Sequence, residues 1–153
     1  MTDTPPAIAL TVRSESVQRA YSSYRADQYR VNRRYQRKLV WSVEEKQRLV
    51  DSIVLALPLP LFLVAETSTG PDATLELIDG MQRLNAIFSF IEQEFDYRGH
   101  YFDLDTLADT KALKDAGELT QRTPVVGRDI SVAIANYSLA LSVFRAEEQA
   151  SVD

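Results

Sequence analysis

The residues best suited to bind a ligand lie at one predicted strand-to-helix turn, Asp79-Gly80-Met81-Gln82-Arg83. A short apolar strand pattern ends at Asp79, and the apolar stripe of a helix follows at once. Such a turn presents backbone N–H groups and the positive end of a helix dipole, which together favour a phosphate. Gly80 would let a ligand approach the backbone closely, and Gln82 and Arg83 would add side-chain donors. The turn is therefore a candidate anion site.

A structural interpretation accounts for part of the same turn. Asp79 and Gln82 have the spacing of a capping box, with Asp79 at the N-cap and Gln82 at the third helical position. Capping does not explain Gly80, because glycine in a first turn lowers helix stability unless something must come close. Arg83 would then be a solvated helix residue. From the residues alone, both interpretations stay open.

A second cluster combines basic and aromatic residues: it is Arg33-Arg34-Tyr35-Gln36-Arg37-Lys38, followed by Trp41. Guanidinium groups bind phosphate bidentately and aromatic faces stack on bases, so the cluster is typical of a nucleotide or nucleic-acid contact. The alternative is a basic loop whose Tyr35 and Trp41 pack at the edge of the core.

Composition limits the remaining chemistry. The chain has 153 residues, enough for one domain with a real core, and 45% of them are hydrophobic. It has no cysteine, so we expect no disulfide, no zinc site built on sulfur and no haem, in keeping with a reducing cytoplasm. The lone histidine, His100, supports neither a catalytic triad nor a metal site.

The net charge of -5 hides an uneven distribution. Residues 1–48 carry ten Lys or Arg against five Asp or Glu, whereas the rest carry seven against seventeen. Overall acidity argues against coating of nucleic acid but permits one basic surface. No apolar run approaches the roughly 20 residues of a membrane span, and the N-terminus lacks the basic start of a signal peptide. We therefore expect a cytoplasmic protein without a membrane segment.

The elements that must position the two clusters form an alternation of helices and strands. We predict a flexible tail over residues 1–13 and a single domain over residues 14–153. Apolar periodicity predicts helices over about 16–26, 42–57, 81–94 and 106–116, with a capping box at Ser42 and Glu45. It predicts strands over 61–65, 74–78, 101–104 and 137–144, an extended piece at 27–31, a loop at 123–127 and an unfinished helix from 145. This pattern indicates an α+β fold with a small mixed sheet flanked by helices.

The two clusters, in this order, resemble the N-terminal domain of GmrSD-type restriction systems, which has a ParB/sulfiredoxin-like fold. In that family a Tyr-Gln-Arg … Trp-Ser segment precedes a motif of the form Ile/Val-Asp-Gly-Gln-Gln-Arg-Leu. Here the corresponding stretches are Tyr35 to Ser42 and Ile78 to Leu84. The resemblance covers residues 14–95 well, and we expect it to extend to the C-terminus.

The resemblance implies a regulatory domain that binds a nucleotide and, in several members, hydrolyses an NTP with Mg²⁺ to gate the cleavage of foreign DNA in anti-phage defence. Carried onto this chain, it implies that Asp79, Gly80, Gln82 and Arg83 surround the phosphates. Tyr35, Gln36 and Arg37 would contribute from a facing loop. Asp79, Gln82 and Arg83 would be the catalytic residues, with Asp79 polarising a water or holding Mg²⁺.

The chain departs from the family pattern in three places. Met81 replaces a glutamine and removes an amide from the motif, while Arg33 and Arg34 stand where a proline often occurs. The chain stops at Asp153, before the usual Phe-Arg-Arg-Ile-Asn helix. We therefore expect either a domain truncated at its C-terminal end or a short stand-alone member. With one histidine we do not expect it to be a nuclease on its own, and a nuclease domain or partner chain would lie elsewhere.

Two other functions are compatible with the residues. A non-enzymatic DNA-binding module would use residues 30–41, with Arg33, Arg34, Lys38 and Trp41 as its nucleic-acid contacts. An interaction domain would need the Asp79–Gln82 cap only to shape its fold.

Overall fold

A computed structural model describes residues 10–30, 41–67 and 74–145. Within these ranges the chain forms five strands and five helices, with a 3-10 turn at Leu104–Thr106. The strands are β1 (Leu10–Ser16), β2 (Tyr29–Arg30), β3 (Phe62–Glu66), β4 (Leu75–Asp79) and β5 (Ser138–Arg145). The helices are α1 (Val17–Arg25), α2 (Val43–Val54), α3 (Met81–Ile91), α4 (Ala108–Asp115) and α5 (Arg128–Asn136). The predicted α+β class with a mixed sheet is confirmed.

The five strands form one sheet in the order β1-β5-β3-β4-β2. β5 pairs antiparallel with β1 and parallel with β3. β3 and β4 form the predicted antiparallel hairpin, with a register shift between Leu63 and Val64, and β4 pairs parallel with the short β2. The hairpin carries the chain directly to Asp79, at the end of β4.

The two edges of the sheet approach each other although they lie at opposite ends of the strand order. The Tyr29 hydroxyl on β2 donates a 2.9 Å hydrogen bond to the Glu15 carboxylate on β1. Burial and the neighbouring Glu15 raise the pKa of Tyr29, so its hydroxyl remains a protonated donor at neutral pH. The sheet is therefore curled, and a gap between β1 and β2 remains on one side.

The core lies between the sheet and α3. Phe62 is paired with Leu141, and Val64 with Val143, so all four side chains share one face of the sheet. The predicted apolar stripe of α3 meets that face, and its buried residues include Leu84, Ile87, Phe88 and Ile91. Each buried side chain of this kind contributes about 1.5–3 kcal/mol relative to exposure, which fixes α3 firmly on the sheet.

The start of α2 confirms the predicted capping box. The Ser42 hydroxyl accepts from the Glu45 N–H at 3.2 Å, and the Glu45 carboxylate accepts from the Ser42 N–H at 2.8 Å. Ser16 caps α1 with a single bond, its hydroxyl accepting from the Arg19 N–H at 3.1 Å. Both helices begin with their own side chains satisfying the first turn.

Two local expectations are wrong, and one helix was not predicted. Residues 10–13 belong to β1 rather than to the predicted tail, because this polar edge strand is recruited by the distant β5. The stretch after Gly127 contains α5, whose buried face is built from Ser131, Ile134 and Ala135 and so gives a weak apolar signal. The predicted strand 101–104 is only a single bridge between Tyr101 and Val125, followed by the 3-10 turn.

One further helix is confirmed, and the chain ends are not described. α4 matches the predicted helix at 106–116, and Gly117 follows it with a positive φ of 77°. Residues 1–9 and 146–153 lie outside the described ranges, as does the helix predicted after residue 145. Among the helices described, none combines the length and apolar character needed to cross a bilayer.

Candidate functional site

Gly80 starts α3 in a left-handed conformation, with φ 102° and ψ 13°. It is Gly80, not Asp79, that occupies the N-cap, and no side chain caps this helix. A Cβ atom at Gly80 would lie 2.6 Å from Cδ2 of Phe62. The predicted Asp79–Gln82 capping box is therefore wrong, and the neighbour that requires glycine here is the Phe62 ring rather than a ligand.

Arg83 is held by the loop between α2 and β3. Its guanidinium lies 4.5 Å from the centre of the Phe62 ring and donates to the carbonyl oxygens of Pro60 and, at 3.3 Å, Leu61. Burial lowers the pKa of Arg83, and the charge of Asp79 acts in the opposite direction. An arginine stays protonated under such conditions. Arg83 is thus a fixed cation and not the solvated residue that the structural interpretation implied.

Asp79 ends β4 beside this fixed cation. It is exposed and pairs across the hairpin with Leu63. Its side chain does not cap α3, and within the described ranges it makes no hydrogen bond or ion pair. The structure thus places one negative group and one positive group side by side at the start of the helix.

Trp41 joins the turn from a distant part of the sequence. Its backbone N–H donates to the side-chain oxygen of Gln82 at 3.4 Å, a long hydrogen bond. Trp41 and the turn, which the sequence paired only through the resemblance, are therefore in contact. The use of Trp41 as a nucleic-acid contact stays a prediction.

These residues line an open cavity of about 300 Å³, which we call the turn depression. Its described lining consists of Trp41, Ile78 and the turn residues Asp79, Gly80, Met81, Gln82 and Arg83. The other predicted contacts lie outside the described residues; they are Arg33, Arg34, Tyr35, Gln36, Arg37 and Lys38. Their assigned roles, and the DNA-binding alternative that depends on them, stay predictions.

The resemblance implies a bound Mg²⁺, so the carboxylates near the turn must be considered as its ligands. No group of three or more His, Asp or Glu side chains suited to a metal ion occurs in the parts of the chain that are described. Asp79 could supply one carboxylate oxygen, and Mg²⁺ bound with an NTP commonly takes its other ligands from phosphate and water. The donor set therefore fits a metal delivered with a nucleotide better than a preformed metal centre.

Two parts of the site escaped the sequence analysis. The carbonyl groups of Pro60 and Leu61 hold Arg83, and backbone acceptors leave no signal in side-chain patterns. Phe62 supports both Gly80 and Arg83, but in the sequence it is only one member of an apolar strand. Gly80 itself was the one signal in the sequence, since a glycine directly after a strand often marks such a turn.

Comparison with known proteins agrees with the motif. The sequence model of the GmrSD restriction endonuclease, N-terminal domain, matches residues 17–145, from the start of α1 to the end of β5. No curated protein matches the chain, and no solved structure does. Because the match spans well over half of the 153 residues, the chain belongs to the family of GmrSD restriction endonuclease N-terminal domains.

Proposed function

We propose that this restriction-system domain binds the phosphate groups of a nucleoside triphosphate in the turn depression. The observation that carries the proposal is the position of the Arg83 guanidinium, fixed against Phe62 at the start of α3 and lining the same depression as Asp79 and Trp41. A fixed cation beside the positive end of a helix dipole favours a polyanion.

The way in which Arg83 is held supports phosphate binding rather than a purely structural role. The carbonyls of Pro60 and Leu61 hold the guanidinium in one orientation before any ligand arrives. An arginine that is already ordered loses less side-chain entropy on binding, and its planar donors match phosphate oxygens. Partial burial also strengthens its attraction to an anion relative to a fully solvated arginine.

Trp41 and Asp79 would complete the site. Trp41 lines the turn depression and is partly buried against the core, and the rest of its ring would offer a stacking surface for a base. Asp79 would contribute one oxygen to Mg²⁺ held on the phosphates. Met81 has no polar group to orient an attacking water, so we propose binding as the function of this site and hydrolysis at Asp79 as a step to be tested separately.

In the restriction system, occupancy of the turn depression would report nucleotide to the nuclease. We propose that this nuclease is either a further domain of the same protein or a separate partner chain. Arg83 would relay the signal, because it contacts both the depression and the loop that leads from α2 to β3.

Thermal unfolding of the full chain with ATP, GTP, CTP or UTP, each with Mg²⁺, tests the proposal. A nucleotide at 100 times its Kd adds about 2.7 kcal/mol of stability, which raises the Tm of a domain of this size by several degrees. We expect at least one nucleotide to give such a shift, and Arg83→Gln to remove it. Arg128→Gln, an exposed arginine at the start of α5, should leave the shift unchanged.

The shift on adding nucleotide is compared within each variant, so a lower starting Tm of Arg83→Gln does not obscure the result. A folded wild-type protein that responds to none of the four nucleotides would overturn the proposal. An equal response in wild type and Arg83→Gln would place the nucleotide elsewhere and also contradict it. Single-turnover assays of the wild type and Asp79→Asn then decide whether bound nucleotide is hydrolysed.

A further inference from the structure

A second and larger cavity lies where the curled sheet fails to close. This edge cleft has a volume of about 570 Å³ and lies between β1, α1 and the β2–β4 side of the sheet. Its floor is marked by the hydrogen bond from Tyr29 to Glu15, which joins the two sheet edges. No described residue lines both the edge cleft and the turn depression.

The acidic groups of the edge cleft already have partners. Glu15 accepts the hydrogen bond of the buried Tyr29 hydroxyl at 2.9 Å. Glu66 accepts from Nε of Arg145 at 3.3 Å, and this ion pair lies at the end of the paired strands β3 and β5. Both carboxylates therefore have a partner, and the partner of Glu66 is a cation.

The basic groups are in the opposite situation. Arg13 on β1 and Arg19 on α1 both line the edge cleft and are exposed. Throughout the described ranges, neither side chain makes a hydrogen bond or an ion pair, whereas Arg83, Arg98, Arg122 and Arg145 each do. The charged lining residues are two arginines and two glutamates, with no net formal charge, but Glu66 is already paired with Arg145 from outside the lining.

The uncharged lining indicates a hydrophilic ligand. Ser23 and Gln28 add a hydroxyl and an amide, while Leu75 is the one aliphatic side chain among the described lining residues. Only 4% of Tyr29 is exposed, so its ring offers little face for stacking. The cleft therefore suits a phosphate with its oxygens better than a nucleobase.

We propose that the edge cleft is a second binding site, which takes a phosphate group between the guanidinium groups of Arg13 and Arg19. The phosphate belongs either to a small phosphorylated molecule or to a nucleic-acid backbone. Two of the ten basic residues within residues 1–48, Arg13 and Arg19, line this cleft.

An NMR titration of the ¹⁵N-labelled full chain with inorganic pyrophosphate tests the edge cleft separately from the turn depression. We expect saturable shifts of the amides between residues 13 and 29, whatever happens to those of residues 79–83. The double variant R13Q/R19Q should weaken the binding reported by these amides at least tenfold. The matched double variant R48Q/R128Q removes the same charge from exposed positions on α2 and α5 and should bind as the wild type does.

The spectra also show whether each variant is folded, and R13K/R19K keeps the charge while removing the bidentate geometry. We expect this lysine variant to bind more weakly than wild type and more tightly than R13Q/R19Q. An absence of saturable shifts at residues 13–29 with both pyrophosphate and a short DNA duplex would overturn the proposal, and so would equal binding by R13Q/R19Q. Binding of pyrophosphate assigns the site to small phosphorylated molecules, whereas binding of the duplex alone assigns it to nucleic acid.

Discussion

Helices α2 and α3 begin with similar sequences and very different structures. Ser42 to Glu45 and Asp79 to Gln82 both have the spacing of a capping box. At α2 the two side chains bind each other's backbone and the helix start is closed. At α3 the N-cap is a left-handed Gly80 without a side-chain cap, and Gln82 reaches the backbone of Trp41 instead.

The difference shows that a helix start without its own side-chain cap can contact other segments of the chain. The capping bonds of α2 are local, because each spans only three residues. The first turn of α3 connects segments far apart in sequence, because Gln82 contacts Trp41 and Arg83 contacts Pro60 and Leu61. The second arrangement costs local helix stability and builds a surface from several elements, as a binding site requires.

The largest effect is expected from Gly80→Ala. The new Cβ would lie 2.6 Å from the buried Phe62 ring at a backbone φ of 102°, so overpacking adds to backbone strain. We expect a loss of about 3 kcal/mol in the free energy of unfolding, measured by urea denaturation. Gly117→Ala is the matched control, because its φ is 77° and nothing lies within 4 Å of the new Cβ. Equal losses in the two variants would refute the proposed role of Phe62.

Arg83→Met should have the next largest effect. Methionine keeps much of the side-chain volume but leaves the Pro60 and Leu61 carbonyls without their donor. We expect a loss of about 2 kcal/mol in the free energy of unfolding, with faster amide exchange in the α2–β3 loop. Arg128→Met, an exposed arginine at the start of α5, should change stability by less than about 0.5 kcal/mol. A comparable loss at both positions would mean that Arg83 does not anchor the loop.

The contrast between the two helix starts is tested most directly by Ser42→Ala and Asp79→Ala. Ser42→Ala removes an observed cap and should cost about 1 kcal/mol. Asp79→Ala removes no cap and should change stability by less than about half of that, since the exposed carboxylate only attracts Arg83 through space. Chemical denaturation of both variants decides the matter, and an equal cost would restore Asp79 as the N-cap.

The smallest change in stability is expected from Gln82→Ala, which breaks a long hydrogen bond of 3.4 Å to Trp41. Its effect should be visible by spectroscopy, because Trp41 is the only tryptophan in the chain. We expect the emission of Trp41 to shift to longer wavelength as the residue becomes more solvated. Glu45→Ala, which breaks the corresponding bond of the α2 capping box, should cost more stability and leave the emission maximum closer to that of the wild type.

Sequence reasoning succeeded where the determinant is local and failed where it lies far away in the sequence. The α2 capping box and the α3 stripe depend on residues three or four positions apart, and both are confirmed. The role of Gly80 was misjudged because the ring that requires it belongs to Phe62, on another strand. The turn itself could be located from Asp79 and Gly80, but the carbonyls that fix Arg83 could not.

The order of strands also determines when this domain can complete its fold. β5 lies between β1 and β3, and its pairing with β1 joins Leu10 to Phe144 across nearly the whole chain. During synthesis β1 therefore leaves the ribosome long before the strand that pairs with it, and β3 lacks its parallel neighbour for the same period. Such high contact order slows folding and leaves unpaired edges exposed to other chains. Until β5 has emerged, β1 and β3 of this chain therefore each lack a strand partner, and this is the interval in which association with other chains competes most with folding.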